Sequence, residues 1–385
     1  MNIIILGCGN IGSVVAKDLA ESLPSTKIVI ADINKGRAEE AFSKINRDNV
    51  FCIQIDASNY RKLTNTLKEF DLAVGALPGS MGFKSCKASI AAGVDMIDFS
   101  YMPEDVMALN KQALKANVCL IPDCGMSPGL SNVLVGHALS NLERVKRVHI
   151  FTGGLPENSV PPLGYVITWS TSDLIDMYCR KVSLVREGRI TRVEATSGLE
   201  EIRLPEVGIL EAFYTDGLRT LLHTVMDTEE MWEKSLRYPG HIEKIKVLKA
   251  LDFFDQKPME IRNARISPRE FTARLLDKKL KMPETRDIAI VRVETFGVKN
   301  GKKVVSICHV LNRYDQKNRV TAMARTTAYT TSVVTQLIAS KAFKEKGVIP
   351  PEKLGMNKKL YEKFLHKMIK RGVKIEETTK NLPDL

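Results

Sequence analysis

The chain contains no long hydrophobic run, although 44% of its 385 residues are hydrophobic. No stretch approaches the ~20 consecutive apolar residues that a membrane-spanning helix needs. The first six residues already have the pattern of a β-strand, so we expect neither a membrane segment nor a signal peptide. A chain of this length is long enough for two domains, each with its own core.

The sequence also contains no C-x-x-C motif, and its 7 cysteines are scattered along the chain. This usage predicts reduced thiols and a cytoplasmic protein. The 6 histidines show no spacing typical of metal ligands, so we expect no metal site.

Acidic residues are in deficit, since 45 Asp and Glu face 57 Lys and Arg and leave a net charge of +12. The basic residues are mixed with acidic ones along predicted helices, as in residues 358–374, and do not alternate with aromatic residues on a predicted sheet. We therefore predict solvated basic faces and no nucleic-acid binding. The excess positive charge favours the approach of an anionic cofactor or substrate.

A dinucleotide-binding pattern fills the first 32 residues. An apolar run over residues 1–6 leads into a Gly-x-Gly-x-x-Gly motif, a helical pattern and a second strand that ends at Asp32. Gly7 allows the tight turn, Gly9 lets the backbone approach a pyrophosphate, and Gly12 lets the helix pack on the strand. The helix N-terminus attracts the phosphates. The predicted cofactor contacts in this stretch are Gly7, Gly9, Asn10, Ile11, Gly12 and Asp32.

Asp32 bears on the choice of cofactor. Its carboxylate can accept hydrogen bonds from a ribose 2′-OH, whereas it would repel a 2′-phosphate. Lys35 and Arg37 lie close enough along the chain to weaken this preference. We predict that the cofactor is NAD.

Strands and helices alternate through the first 121 residues. The predicted strands cover residues 1–6, 27–31, 50–55, 72–77, 94–97 and 118–121, and the predicted helices cover 11–23, 35–45, 58–70, 85–92 and 104–116. This alternation predicts an α/β fold, a Rossmann domain with a doubly wound parallel sheet. Ligands bind at the carboxyl ends of such strands, which adds Leu77, Pro78, Ser100 and Asp56 as cofactor contacts. Asp56 can reach the adenine edge or cap the next helix.

The pattern becomes less regular after Pro122. A predicted helix over 130–142 and predicted strands over 147–152, 191–195, 288–296 and 303–311 indicate a second, mixed α+β domain. Two amphipathic helices, over 326–343 and 358–370, are expected to return to the Rossmann domain. We predict an NAD-binding domain of residues 1–124, completed by C-terminal helices in 325–385. Residues 125–324 should form a substrate-binding and dimerisation domain, and the protein should be a homo-oligomer, a dimer or larger.

A series of motifs runs through most of the chain. They are the glycine motif at 7–12, Asp-Phe-Ser-Tyr at 98–101, Pro-Asp-Cys-Gly-Met-Ser-Pro-Gly-Leu-Ser-Asn at 122–132, Gly-Gly-Leu-Pro at 153–156, Pro-Leu-Gly-Tyr at 162–165, Thr-Trp-Ser at 168–170, and the stretches 210–221 and 236–241. In this order they resemble the saccharopine dehydrogenase-like family, most closely its L-lysine 6-dehydrogenase branch.

The resemblance implies oxidation of an amino acid with a nicotinamide cofactor. Saccharopine reductases of this family carry an Asp where this chain has Ser127 and a Cys where it has Thr152, both near the reacting centre of those enzymes. The stretch 210–221 resembles the lysine branch, which implies NAD-dependent oxidative deamination of L-lysine at the ε-carbon, giving 2-aminoadipate 6-semialdehyde and ammonia. The alternative within the family is a saccharopine reductase or a carboxyspermidine-type dehydrogenase.

Amine oxidation by hydride transfer requires a neutral amine, although free lysine has a pKa near ~10.4. The site must desolvate the amine or supply a base. Asp123 and Tyr101 follow successive predicted strands and are the predicted catalytic residues. Asp123 would hold the amine or activate water, its alternative being a turn or cap residue. Tyr101 would exchange a hydrogen bond with the reacting nitrogen, its alternative being a pocket wall.

Binding the amino-acid end requires a cation for the α-carboxylate and an acid for the α-ammonium. The substrate-binding candidates are Arg237 or Arg219 for the carboxylate, Asp216 or Glu211 for the ammonium, Trp169 with Tyr165 as pocket wall, and His241 as a base near neutral pH or a packed residue.

Two classes of function remain open. One is an amino-acid dehydrogenase whose partner is a small-molecule substrate, with no membrane involved. The other is an NAD-binding sensor that senses redox state or a ligand without turnover. The density of polar groups around glycine turns in the second half of the chain favours the enzyme.

Overall fold

A seven-stranded parallel sheet forms one half of the protein, of which the computed structural model describes residues 1–282 and 285–383. Its first six strands are β1 (Asn2–Leu6), β2 (Lys27–Asp32), β3 (Val50–Gln54), β4 (Leu72–Gly75), β5 (Asp95–Asp98) and β6 (Cys119–Ile121). The connecting helices are α1 (Asn10–Ser22), α2 (Lys35–Ile45), α3 (Tyr60–Leu67), α4 (Gly79–Ala92) and α5 (Asn110–Lys115). The strand order 6-5-4-1-2-3 confirms the predicted doubly wound Rossmann fold.

The sequence pattern explains the centre of this sheet. Ile3, Ile4, Ile5 and Leu6 of β1 are fully buried, as expected for a parallel strand covered by helices on both faces. The turn after β1 passes through Gly7, whose φ of 100° favours glycine.

Several predicted boundaries differ from the structure. Helix α4 begins at Gly79, six residues before the predicted start. A Cβ at Gly79 would collide with the carbonyl of Tyr101, so this position requires glycine. Glycine there lets the helix begin tightly against the loop after β5. The helix predicted over 104–116 divides into a 3-10 turn, Val106–Leu109, and α5.

A nine-stranded mixed sheet forms the other half. Its strands are β7 (Arg144–Pro156), β8 (Val182–Arg186), β9 (Arg189–Val193), β10 (Glu200–Leu204), β11 (Gly208–Tyr214), β12 (Glu230–Arg237), β15 (Asp287–Lys299), β16 (Lys302–Arg313) and β18 (Glu376–Asn381). A separate hairpin pairs β13 (Met259–Ile261) with β14 (Ala264–Ile266). The helices are α6 (Leu130–Asn141), α7 (Thr171–Cys179), α8 (Leu221–Thr224), α9 (His241–Ala250) and α10 (Pro268–Leu280). The predicted mixed α+β character of this half is confirmed.

The C-terminal segment contributes to both sheets. It contains α11 (Ala322–Ala339), β17 (Gly347–Val348), α12 (Glu352–Met356) and α13 (Lys358–Lys370). Strand β17 extends the parallel sheet beside β6, and Arg371 after α13 forms an ion pair with Asp18 of α1, Nε to Oδ1 2.8 Å. The segment also carries a strand beside the predicted helices, because β18 pairs with β16 of the mixed sheet. The proposed division of the chain at residue 124 stays a prediction.

Among the residues described, no helix has the length and apolar character required to cross a membrane.

Helices α6 and α12 touch through glycines. A Cβ at Gly136 would collide with the carbonyl oxygen of Glu352. We expect Gly136→Ala to lower the free energy of unfolding by about 1–3 kcal/mol, the usual cost of forcing extra volume into a packed interior. Gly36→Ala in α2 is the control, because the nearest atom to its added Cβ is 3.4 Å away. Denaturant unfolding should show a neutral or stabilising effect there, and equal destabilisation of both variants would contradict this account.

Candidate functional site

A cavity lies where the carboxyl edge of the parallel sheet meets the mixed sheet. It holds about 770 Å³ of space free of protein atoms, part of it open to solvent. Ile11 and residues 99–101 line it from the Rossmann side, the loop 125–128 from its edge, and β12 from the mixed sheet. Helix α11 closes it with Met323 and Thr327.

The glycine motif has the geometry of a phosphate-binding turn. No atom lies within 4 Å of where a Cβ on Gly9 would stand, so the backbone is open to a ligand there. A Cβ on Gly12 would instead collide with the carbonyl of Gly7. Asn10 and Ile11 begin α1, where free N–H groups face the turn. These residues fit a dinucleotide.

Asp32 lies at the end of β2, beside this turn. Its carboxylate accepts hydrogen bonds from the backbone N–H of Cys8 (3.1 Å) and of Asn34 (2.9 Å). Burial opposes ionisation, but these bonds hold the pKa of Asp32 below its ordinary value. The Arg37 guanidinium lies 3.8 Å from it, Nη1 to Oδ1, and is 56% exposed. An ionised carboxylate and a mobile cation therefore share the position expected for the ribose.

The other predicted cofactor residues have different surroundings. Asp56 accepts a bond from the N–H of Ser58 (2.9 Å) in a local turn, and the cap of α3 is Asn59 instead. Pro78 is the N-cap of α4, and a Leu77 methyl lies 3.6 Å from where a Cβ on Gly7 would stand. Ser100 lines the cavity.

Strand β12 supplies three polar side chains to the cavity. Successive side chains of a strand point to opposite faces, so Glu233, Ser235 and Arg237 share one face, and all three line the cavity. Trp232 and Lys234 belong to the opposite face. These two side chains form a cation–π contact, in which the Lys234 Nζ lies 5.0 Å from the centre of the Trp232 ring.

Arg237 is a buried cation without an acidic partner. Its side chain is 3% exposed, its Nη1 donates to the carbonyl of Leu236 (2.8 Å), and its guanidinium stacks 4.4 Å from the centre of the Tyr165 ring. Its Nε has no hydrogen-bond partner, and it forms no ion pair with any carboxylate in the described part of the chain. A buried cation that faces a cavity without a carboxylate partner can accept an anionic group of a ligand.

Glu233 is the acid of the cavity. Ser127 Oγ donates to its Oε2 (2.6 Å), and Thr215 Oγ1 lies 3.5 Å from its Oε1. Burial raises the pKa of Glu233 to about 8; the bond from Ser127 opposes this rise and the charge of Asp216 adds to it.

Tyr101, Trp169 and Tyr165 form an aromatic wall. The rings of Tyr101 and Trp169 meet edge to face with centres 6.1 Å apart, and Trp169 Nε1 donates to the Tyr165 hydroxyl (3.0 Å). The Tyr101 hydroxyl donates to the carbonyl of Asp216 (3.0 Å). Burial raises the pKa of Tyr101 well above its ordinary value, so this phenol stays protonated.

Asp123 and Arg219 do not line the cavity. They pair with each other, Arg219 Nε to Asp123 Oδ1 3.3 Å, with side chains 1% and 7% exposed respectively. Asp216 lies 3.9 Å from the same guanidinium, Oδ2 to Nη1. Burial raises the pKa of Asp123 even beside Arg219. The three charges are therefore satisfied by one another in this structure, and the expected contact of these residues with substrate stays a prediction.

Glu211 and His241 also have structural partners. Glu211 accepts hydrogen bonds from the N–H groups of Gly240 (3.0 Å) and Ile242 (2.6 Å) and so caps α9. His241 bonds to Tyr178 (2.8 Å) and to the Leu163 carbonyl (2.8 Å). Burial, and then the charge of Arg237, lower the pKa of His241 to about 3. It stays neutral and is a packed residue.

Sequence reasoning missed Glu233, Ser235 and Thr215, and treated Ser127 and Thr152 only as departures from a family pattern. The available signal was the alternation of Glu233, Ser235 and Arg237 in a strand-like stretch. Thr152 faces Ser235 in the parallel pairing of β7 and β12, and its hydroxyl has no partner. Polar groups are thus aimed into the cavity from two adjacent strands.

Taken together, a dinucleotide-binding sheet and a pocket with one buried cation and one buried acid are the features of an oxidoreductase that acts on amino acids with a nicotinamide cofactor. Residues 3–121 match the family described as "Saccharopine dehydrogenase NADP binding domain", and residues 125–373 match "Saccharopine dehydrogenase C-terminal domain". The chain belongs to the saccharopine dehydrogenase family, and the resemblance noted in the sequence is confirmed.

Relatives of several activities share this family. The chain is 22% identical to a saccharopine dehydrogenase [NADP(+), L-glutamate-forming] of Schizosaccharomyces pombe, covering 98% of each protein. It is 20% identical to a carboxyaminopropylagmatine dehydrogenase of Synechocystis, over 73% of this chain and 74% of that one. The solved apo saccharopine dehydrogenase (L-Glu forming) of Saccharomyces cerevisiae superposes with a TM-score of 0.77 at 16% identity, over 98% of this chain and 99% of that chain. That likeness shows the fold.

The pairing of Asp123 with Arg219 can be tested through stability. Arg219→Met leaves a buried carboxylate without its cation, which should lower the free energy of unfolding by about 3–5 kcal/mol. Asp123→Asn combined with Arg219→Met should cost less than the single change, because no buried charge is then left alone. Urea unfolding of the two single variants and the double variant measures the coupling. Strictly additive effects would show that the two side chains do not interact.

Proposed function

We propose that the protein catalyses the NAD-dependent oxidative deamination of L-lysine at the ε-carbon, giving 2-aminoadipate 6-semialdehyde and ammonia. The observation that carries this proposal is the buried guanidinium of Arg237, which faces the cavity without a carboxylate partner. The α-carboxylate of an amino acid is the anion that suits it, since Arg binds carboxylates through two parallel hydrogen bonds.

The charge of the cavity supports lysine over saccharopine. Arg237 is the only cationic side chain among the described residues that line it. Saccharopine carries a second, glutamate-derived pair of carboxylates, which calls for more cations than this wall supplies. Ser127 and Thr152, in place of the acid and thiol of the saccharopine reductases, argue in the same direction. A saccharopine reductase or a carboxyspermidine-type dehydrogenase is the alternative.

The proposed cofactor is NAD, held by Gly7, Gly9 and Gly12, with Asp32 at the ribose. When bound, the nicotinamide supplies the acceptor for the hydride that leaves the ε-carbon. The relatives whose names specify a cofactor specify NADP(+), so the argument for NAD rests on the ionised carboxylate of Asp32, which would repel a 2′-phosphate.

The roles of the catalytic candidates follow from their contacts. Tyr101 lines the cavity and forms its wall beside the reacting centre, with its hydroxyl already donated to Asp216. Asp123 would act only indirectly, by fixing Arg219 and through it the loop that carries Asp216. An assembly of two or more copies stays part of the proposal.

Lysine turnover is the first expected outcome. With NAD, L-lysine should be oxidised faster than L-ornithine or saccharopine, and mass spectrometry should detect the semialdehyde or its cyclised product. Arg237→Met should raise KM for L-lysine, because it removes a contact made equally in the ground and transition states. Turnover of saccharopine but not lysine would overturn the substrate while leaving the family assignment intact. Cofactor binding without turnover of any of these substrates would favour the NAD-binding sensor.

Cofactor selectivity is the second expected outcome. NAD should bind more tightly than NADP. Asp32→Ala should reduce this difference in affinity, because it removes the repulsion of the 2′-phosphate. Arg37→Ala, which removes the neighbouring cation, should increase the difference in affinity. Fluorescence titration of both reduced cofactors into the three proteins measures these differences. Equal or tighter binding of the phosphorylated cofactor to the wild type would contradict the proposal.

A further inference from the structure

We propose that Glu233 is a catalytic residue, the base that takes the proton from the substrate's ε-ammonium. This inference rests on the proposed function, because it takes the α-carboxylate of an amino acid to lie on Arg237.

Glu233 and Arg237 lie apart along one wall of the cavity. They are four residues apart on the same face of one strand, so their Cα atoms are separated by about 13 Å. Extended L-lysine measures about 7.5 Å from its carboxylate carbon to its ε-nitrogen, given bond lengths near 1.5 Å.

The two amines of the substrate differ in their distance from Arg237. The α-nitrogen lies about 2.5 Å from the carboxylate carbon, because only two bonds separate them, whereas the ε-nitrogen of the extended chain lies about 7.5 Å from it. With the carboxylate on Arg237, the ε-amine is therefore the one that extends along the wall toward Glu233.

The Glu233 end of this wall lies at the cofactor-binding edge of the parallel sheet. Glu233 contacts Ser127, in the loop that follows β6 at the carboxyl edge of the parallel sheet. That is the edge on which the glycine motif lies, and Ile11 of α1 lines the same cavity. Arg237 lies at the other end, over Tyr165 and 6.0 Å from the centre of the Phe213 ring. The reacting carbon therefore belongs beside Glu233.

The surroundings of Glu233 hold it in one position. Ser127 bonds to one carboxylate oxygen and Thr215 approaches the other. A Cβ on Gly217 would collide with this carboxylate, so glycine at 217 leaves the room that it occupies. The ionisable groups that face it are Asp216, which disfavours its charge, and the phenol of Tyr101, whose ionisation it disfavours.

The proton balance is simple. The Glu233 carboxylate takes a proton from R–CH₂–NH₃⁺, giving the neutral amine and a carboxylic acid. The ε C–H bond then breaks with its electron pair leaving as hydride, and the nitrogen lone pair forms the C=N bond. Water adds to that carbon and the C–N bond breaks, releasing ammonia. Overall, lysine, NAD⁺ and water give the semialdehyde, ammonium, NADH and one proton, which Glu233 returns to solvent.

The test begins with Glu233→Gln under NAD and L-lysine. The kcat should fall by about 10²–10⁴-fold, the usual contribution of a general base, with a much smaller change in KM. The matched control is Glu230→Gln, the same change on the same strand, at a residue that does not line the cavity. Wild-type turnover with an unchanged kcat in Glu233→Gln would overturn this inference alone. The absence of lysine turnover in the wild type would instead remove the proposed function.

The pH profile separates a base from a structural residue. With a pKa of about 8 for Glu233, kcat/KM should rise through pH 8 as the carboxyl ionises. Ser127→Ala removes a bond that favours the carboxylate, so the rise should move to more alkaline pH. This variant keeps the inference testable if Glu233→Gln does not fold. An unmoved profile in Ser127→Ala would count against Glu233 as the base.

Infrared difference spectroscopy supplies a readout without turnover. At pH 7, adding L-lysine to the protein should remove a protonated-carboxyl band, because the cationic amine favours the ionised form of Glu233. The band change should be absent in Glu233→Gln and retained in Glu230→Gln.

Discussion

The buried guanidinium of Arg237 is the constraint on which the rest of the site depends. Strand β12 is fixed between β11 and β7 in the mixed sheet, so this side chain cannot turn to solvent. Its desolvation costs several kcal/mol, and within the described residues the carbonyl of Leu236, the ring of Tyr165 and the hydroxyl of Tyr178 offset part of that cost. Under the proposed function, the carboxylate of the substrate supplies the remaining charge balance.

Burial alone does not give a carboxylate a chemical role, as the acids around this cavity show. Asp123 is neutralised by Arg219, and Glu211 by two backbone N–H groups at the start of α9. Asp98 accepts bonds from the N–H (2.8 Å) and hydroxyl of Ser100, and burial raises its pKa to about 7. Glu233 has only hydroxyl partners and open space before it. The partner, more than the degree of burial, decides which acid is free to exchange a proton.

The sequence contained enough to predict the Rossmann half, because the glycine motif, strand periodicity and Asp32 are local features. The cavity depends on contacts between distant residues and was only partly predictable. Arg219 and Asp123 are 96 positions apart, so their pairing is invisible before the fold brings them together. Glu233 resembles any charged residue until the register of β12 shows that it shares a face with Arg237. Tyr101, Trp169 and Arg237 were found because they lie in recognisable motifs.

Similar folds within this family need not carry the same substrate, because a few side chains at the strand edges set the chemistry. The resemblance implies that saccharopine reductases hold an Asp at the position of Ser127. Here Ser127 Oγ is 2.6 Å from the Glu233 carboxylate, and an acid in its place would share a proton with Glu233, so that one of the two carboxyl groups would stay protonated to a higher pH. A hydroxyl donor has the opposite effect, because it favours the ionised carboxylate. Under the proposed function, Ser127 and Glu233 act together, because the hydroxyl in the loop favours the form of Glu233 that can take a proton.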